Sequence, residues 1–201
     1  MRVEYELVFD SRGPVLGIDP GVSCCGYGAV LREGGDIRAV SYGVIRTSPA
    51  DPLPQRLAQL ATEIENIVRE LTPRAMAVER VLFQNNARTA ISVGQASGLA
   101  LVAAARAGVP VEQYSPNEVK LAVAGHGAAD KQQVQLMVTR LLHLTEIPKP
   151  PDAADALALA LCHEWAGPLR DRTASDPVAV GAAATTGLDR AVAAALARDA
   201  R

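Results

Sequence analysis

The apolar positions change their repeat several times along the chain, and each change marks an element. Pro14–Asp19 is a short apolar run that ends in an acid, and Pro20-Gly21 turns the chain after it. Tyr27–Leu31 and Ile37–Ile45 read as two further strands, joined by the hairpin signal Glu33-Gly34-Gly35-Asp36. After the break at Asp51-Pro52-Leu53-Pro54, Leu57, Leu60, Ile64, Ile67, Val68 and Leu71 fall on one helical face. The spacing predicts an amphipathic helix closed by Pro73. Ala75–Glu79 returns to a buried type of strand and again ends in an acid. A long helix over residues 87–107 and a fifth strand over Pro110–Tyr114 follow. Ser115-Pro116-Asn117-Glu118 places a hydroxyl at N-cap, proline at N1 and glutamate at N3, a capping box that starts a short helix. Asp130–Leu142 is amphipathic through Val134, Met137, Val138 and Leu141. Pro148–Pro151 breaks the chain before a last core helix from Asp152 to about Trp165.

Three strands of antiparallel type, then helix and strand alternating twice, then helices, predict an α/β fold. Its centre is a mixed five-stranded sheet with helices on both faces. One compact domain over residues 14–166 fits the length of 201 residues. Residues 1–13 have no clear register and read as an extension or an added edge strand. Residues 167–201 form a tail in which ten of the twenty-two positions Ala179–Ala200 are alanine, so large apolar side chains to bury are scarce and a flexible tail is expected.

Composition narrows the function classes. At 49% hydrophobic and 21% charged the chain is globular. Its longest apolar runs, such as Gly98–Ala105, fall far short of the roughly 20 residues that span a bilayer. The acidic N-terminus is no secretory signal, and three cysteines without CxxC spacing suit a reducing cytoplasm rather than a disulfide framework or a zinc site. The net charge of −2 is unevenly spread. Residues 74–150 hold eight Lys/Arg against five Asp/Glu, and the rest twelve against seventeen, a basic middle compatible with an anionic ligand.

Asp19 and Glu79 end two strands at equivalent positions, where open α/β sheets bind their ligands. Asp152 and Asp155, three residues apart, share one helical face at the edge of a very apolar helix. Asp152 also fits a plain helix-terminal acid interacting with the dipole, whereas Asp155 needs a cation or hydrogen bonds to offset its desolvation. Four acids on one cleft repel one another. A pair of hard divalent cations, Mg²⁺ or Mn²⁺, resolves that repulsion and supports phosphodiester hydrolysis. Lys131, after the glycines of Gly125–Ala129, and Lys120 are candidate phosphate contacts or ordinary solvated lysines. Phe83 is either core-anchored or placed to stack on a base. The helix over 87–107 is apolar nearly all round, so one face is expected to cover the sheet and the other a second copy of the chain. Gly94, Ala90 and Ser97 are small enough for close approach.

The stretches LGIDPGVSCCGYGAV (16–30), AVERVLFQNNARTAISVGQASGLALVAAA (77–105), YSPNEVKLAVAGHGAADKQQVQLMV (114–138) and PDAADALALAL (151–161) resemble, in this order, the RuvC family of Holliday junction resolvases. The resemblance spans about residues 15–165. It implies a ribonuclease H-like fold and a structure-selective endodeoxyribonuclease that nicks four-way junctions symmetrically, leaving 5′-phosphate and 3′-hydroxyl ends. It implies two Mg²⁺ or Mn²⁺ ions held by Asp19, Glu79, Asp152 and Asp155, with Lys120 and Lys131 as active-site lysines. Leu82 and Phe83 align with a base-stacking loop whose usual first aromatic is leucine here, and Arg80 beside them is taken as a DNA contact. A homodimer acting on junction DNA is implied, alongside branch-migration proteins of RuvA and RuvB type. GIDPG followed by a hairpin is also similar to the first phosphate loop of actin-like ATPases, which duplicate the domain and need a second glycine-rich loop. A non-catalytic junction-binding module is the third reading.

Overall fold

The computed structural model describes residues 13–81 and 87–174. Its sheet contains β1 (Val15–Asp19), β2 (Cys24–Glu33), β3 (Asp36–Arg46), β4 (Ala75–Glu79) and β5 (Val111–Tyr114), in the order β3-β2-β1-β4-β5. The first three strands form an antiparallel meander, and β4 and β5 add to β1 in parallel. This is the expected mixed sheet. The helices are α1 (Leu53–Leu71), α2 (Ala87–Arg106), α3 (Pro116–Ala124), α4 (Lys131–Leu141) and α5 (Pro151–Ala174). No helix among the described residues is long and apolar enough to cross a membrane.

Strand alternation divides the core into two layers. Leu16, Ile18, Met76 and Val78 pack with Leu60, Ile64 and Val68 of α1 and Ala96, Ala100 and Ala103 of α2. Val15, Ala75 and Ala77 point the other way, against α3, α4 and α5. The same period of two puts Asp19 and Glu79 on that second face, at the ends where β1 and β4 leave the sheet.

Local chemistry explains the element ends. Pro52 and Pro54 open α1 without needing donors, and Thr72 closes it in a left-handed conformation, φ 42°, donating its N–H to Val68 O at 3.0 Å. Ser115 and Glu118 form the expected capping box on α3, and Asp130 with Gln133 forms a second on α4.

α5 reaches Ala174 rather than ending near Trp165. The compact unit of the chain ends at Gly167, and a second begins at Pro168. Residues 1–12 and 175–201, which include most of the expected extension and tail, lie outside the described residues.

A buried acid clamps α5 to the sheet. The Glu164 side chain is 2% exposed and accepts from Arg32 Nε at 3.1 Å and from Arg74 Nη2. Both arginines are part-exposed, which discounts the pair, so Glu164→Gln is expected to cost about 2 kcal/mol. Thermal melting should show a fall of roughly 4–8 °C, and an unchanged melting temperature would count against the clamp.

Candidate active site

Parallel pairing sets Ile18 opposite Val78, so Asp19 and Glu79 emerge side by side from adjacent strands. The helix that supplies the other two acids crosses directly over β1 and β2 on a floor of glycines. A Cβ on Gly17 would lie 1.9 Å from the Ala156 carbonyl oxygen, and one on Gly26 would lie 2.0 Å from that of Asp152. Gly28, paired with Gly17, would meet Leu157 at 2.7 Å. Only bare backbone permits this approach. It brings the first turns of α5 onto the strand ends that carry Asp19 and Glu79.

Asp19, Glu79, Asp155, Lys120 and Lys131 line one cavity of about 410 Å³, walled by apolar residues of α3, α4 and α5 such as Val119, Val134 and Leu159. Lys131 Nζ lies 2.6 Å from Asp155 Oδ2. Burial, the hydrogen bond with Glu79, and the charges of Glu79, Asp155 and Asp152 push the Asp19 carboxyl up to about 8. Asp155 is also raised, because burial outweighs the pull of Lys131. Burial alone would lower Lys131, yet its bond to Asp155 and the charges of Asp155, Asp19 and Asp152 hold it above its ordinary value. Both partners of this ion pair are therefore raised. The Asp155 carboxylate is the more desolvated of the two, at 26% exposure against 59% for Lys131.

Asp152 takes a different position. It does not line the cavity, and its carbonyl rests against Gly26. Its charge nevertheless acts on Asp19, Asp155 and Cys24. Arg80 stands at the end of β4, where its Nη2 donates to Gln113 O at 2.8 Å and its Nη1 lies 3.8 Å from Glu118 Oε2. Leu82 and Phe83 lie outside the described residues.

Three features escaped sequence reasoning. Cys24 neighbours the site: burial raises its thiol, and the charge of Asp152 and a hydrogen bond with it add to the effect. Cys25 is fully buried, and burial pushes it up to about 12. Tyr114, fully buried at the end of β5, meets His163 Nδ1 of α5 at 2.9 Å and so ties the helix to the far side of the site.

The donor set suits a hard divalent cation. Its candidate ligands are all carboxylate oxygens, and their crowding holds a proton on Asp19 that a cation would displace. Among the described residues no three His, Cys, Asp or Glu side chains already converge to ligating distance. The Lys131 ammonium instead supplies positive charge to the cleft.

On α2 the expectation needs one correction. Ala90 and Ser97 are buried within the chain, at 7% and 3% exposure, because they lie on the face that covers the sheet. The outward stripe consists of Ile91, Gly94, Gly98 and Val102, with Ile91 60% and Val102 47% exposed and open space over both glycines.

Carboxylates ending the two central parallel strands, with acids from a helix laid across them, form an arrangement that suits a nuclease of ribonuclease H-like fold. The model of the RuvC family, crossover junction endodeoxyribonuclease RuvC, matches residues 15–163, and the chain belongs to that family. It is 53% identical over 162 residues to the RuvC of Salinispora arenicola, covering 80% of this chain and 93% of that one. With the RuvC of Leifsonia xyli it shares 50% over 175 residues, covering 86% and 84% of the two chains. Among solved structures, Thermus thermophilus RuvC in complex with a Holliday junction substrate is similar, with TM-score 0.75 and 41% identity, covering 79% of this chain and 96% of that one. The yeast mitochondrial resolvase Ydc2, at TM-score 0.56 and 16% identity, shares the fold.

Proposed function

We propose that the chain resolves four-way DNA junctions by hydrolysing one phosphodiester in each of two opposed strands, with Asp19, Glu79, Asp152 and Asp155 holding two Mg²⁺ or Mn²⁺ ions. The observation that carries this reading is the single cleft in which Asp19, Glu79 and Asp155 face Lys120 and Lys131. Bound divalent ions supply an activated water and charge stabilisation for the leaving oxygen. The chain's own residues do the rest. Asp19 and Glu79, fixed at adjacent strand ends, give the acids a common origin. Asp155, anchored on α5, sets the opposite wall, and Asp152 adds negative charge from the edge.

Lys131 and Lys120 direct cationic donors into the cleft and stabilise charge that grows on the phosphoryl oxygens. In the reaction a water oxygen bonds to phosphorus, the P–O3′ bond breaks, and O3′ leaves with a proton, giving 5′-phosphate and 3′-hydroxyl ends. Lys120→Ala and Lys131→Ala are each expected to lower kcat about a hundredfold, with a smaller change in junction affinity. Single-turnover rates equal to those of the unaltered chain would return both lysines to the solvated surface.

Two equivalent scissile phosphates call for two equivalent sites, and the outward stripe of α2 fits a two-fold partner. Gly94→Glu and Gly98→Glu add side chains over open space, so each single chain should fold normally. Sedimentation is expected to show a dimer for the unaltered chain and monomers for these variants, with paired nicking lost. A monomeric unaltered chain, or variants that stay dimeric, would contradict the assignment. Leu82, Phe83 and Arg80 are proposed as the junction-opening edge of the site. The three cysteines, free in this chain, fit action in a reducing cytoplasm, where branch-migration proteins of RuvA and RuvB type are candidate partners.

A further inference from the structure

Lys120 and Lys131 supply cations on the β4–β5 side of the acids, and the opposite side carries one of its own. Arg46 ends β3 and pairs with Cys24 in register. Cross-strand partners project to the same face of a sheet. The face in question is that of the acids, because Cys24 stands two residues before Gly26, which pairs with Asp19 and abuts the Asp152 backbone. The Cys24 thiol accordingly lies within electrostatic reach of both Asp152 and Arg46.

Arg46 is exposed and, among the described residues, has no ion-pair partner. Its backbone is held firmly. Gln59 Nε2 donates to Arg46 O at 3.3 Å. Next to it, Arg56 donates from Nε to Thr47 Oγ1 at 2.9 Å and from Nη2 to Ser23 Oγ at 2.6 Å, and Thr47 Oγ1 donates to Val22 O at 2.6 Å. This network joins the end of β3 to the loop that follows Asp19. An exposed cation on a rigid mount, on the sheet face that carries the acids, is placed to meet an anion.

Two strand spacings across the sheet and two residues along it put Arg46 about 12 Å from Asp19. Successive phosphates of one strand rise 3.4 Å along the axis of stacked DNA while winding around it, which sets neighbours roughly 7 Å apart, so the offset equals about two nucleotides. We propose that Arg46 forms a backbone-phosphate subsite that holds the cleaved strand about two nucleotides from the scissile phosphate, on the β3 side of the acids.

The inference rests on the DNA-cutting reading above, and its test separates the two. Junction binding by the full chain is measured in EDTA, where no cutting occurs, across a salt series. Arg46→Ala is expected to weaken binding about tenfold near 0.1 M salt and to make the log–log salt slope shallower by about one for each subunit engaged on the junction. Arg46→Lys should restore the slope, and melting of both variants should match the unaltered chain. Junctions carrying a single neutral methylphosphonate along the cleaved strand then locate the contact. One such linkage, about two nucleotides from the cut, should weaken the unaltered chain about tenfold and add nothing to Arg46→Ala. A wild-type salt slope in Arg46→Ala, or losses that add at every linkage, would overturn the subsite while leaving junction cutting intact. Failure of the unaltered chain to cut any junction would instead sink the functional reading.

Discussion

Asparagine in place of Asp19 is expected to lower junction cutting by at least about a thousandfold, equivalent to about 4 kcal/mol of transition-state stabilisation. Junction binding should survive or tighten, because less negative charge then faces the DNA phosphates. Glu79→Gln and Asp155→Asn should follow the same pattern, and Asp152→Asn should cost less, since Asp152 does not line the cavity. The same substitution has a second signature in metal-free protein. Asp19 titrates near 8 in the fold against an ordinary 3.8. Its contribution to stability is therefore fully present below about pH 4 and is lost as pH rises through 8. Asp19→Asn removes that dependence, so its melting temperature at pH 8 should exceed that of the unaltered chain by roughly 5 °C, and the gap should close towards pH 4. Near-normal cutting by Asp19→Asn would remove this carboxylate from the site.

The second large effect is structural. Alanine at Gly17 or Gly26 sets a methyl group 1.9–2.0 Å from a backbone carbonyl of α5. No side chain can rotate to relieve that contact, so the helix itself must move. Gly17→Ala is expected to destabilise the fold by about 3 kcal/mol or more, near the upper end of overpacking costs, lowering the melting temperature by roughly 6–12 °C. Because α5 carries Asp152 and Asp155, cutting should fall further than junction binding in whatever protein remains folded. A Gly17→Ala variant that melts and cuts like the unaltered chain would show that the close approach of α5 is not required.

The convergence of Asp19, Glu79 and Asp155 on one cleft was legible in the sequence, and the glycine floor beneath α5 was not. Asp19 and Glu79 were legible because an apolar run ending in an acid announces both a strand and its exit from the sheet. Asp155 was legible because a carboxylate on an otherwise apolar helix demands a reason. The glycine floor carried no such signal. A glycine within a strand is silent about what lies above it, and Gly17 meets a helix about 140 residues further along the chain. Glu164 looked like any helical acid, since its partners Arg32 and Arg74 are 132 and 90 residues away. The same blindness misplaced Ala90 and Ser97 on α2. An all-apolar helix does not say which stripe turns inward until the sheet beneath it is known.

Cutting of two opposed strands of a two-fold junction by this cleft is read out by mapping the products. The full chain is incubated with a synthetic four-way junction labelled on each strand in turn, with Mg²⁺ or Mn²⁺, and the cuts are mapped to the nucleotide. The account predicts paired nicks at symmetric positions in two opposed strands, with 5′-phosphate and 3′-hydroxyl ends that a ligase reseals, and no product from Asp19→Asn. Absence of cutting in either metal, or nicks at unrelated positions on the two strands, would contradict it.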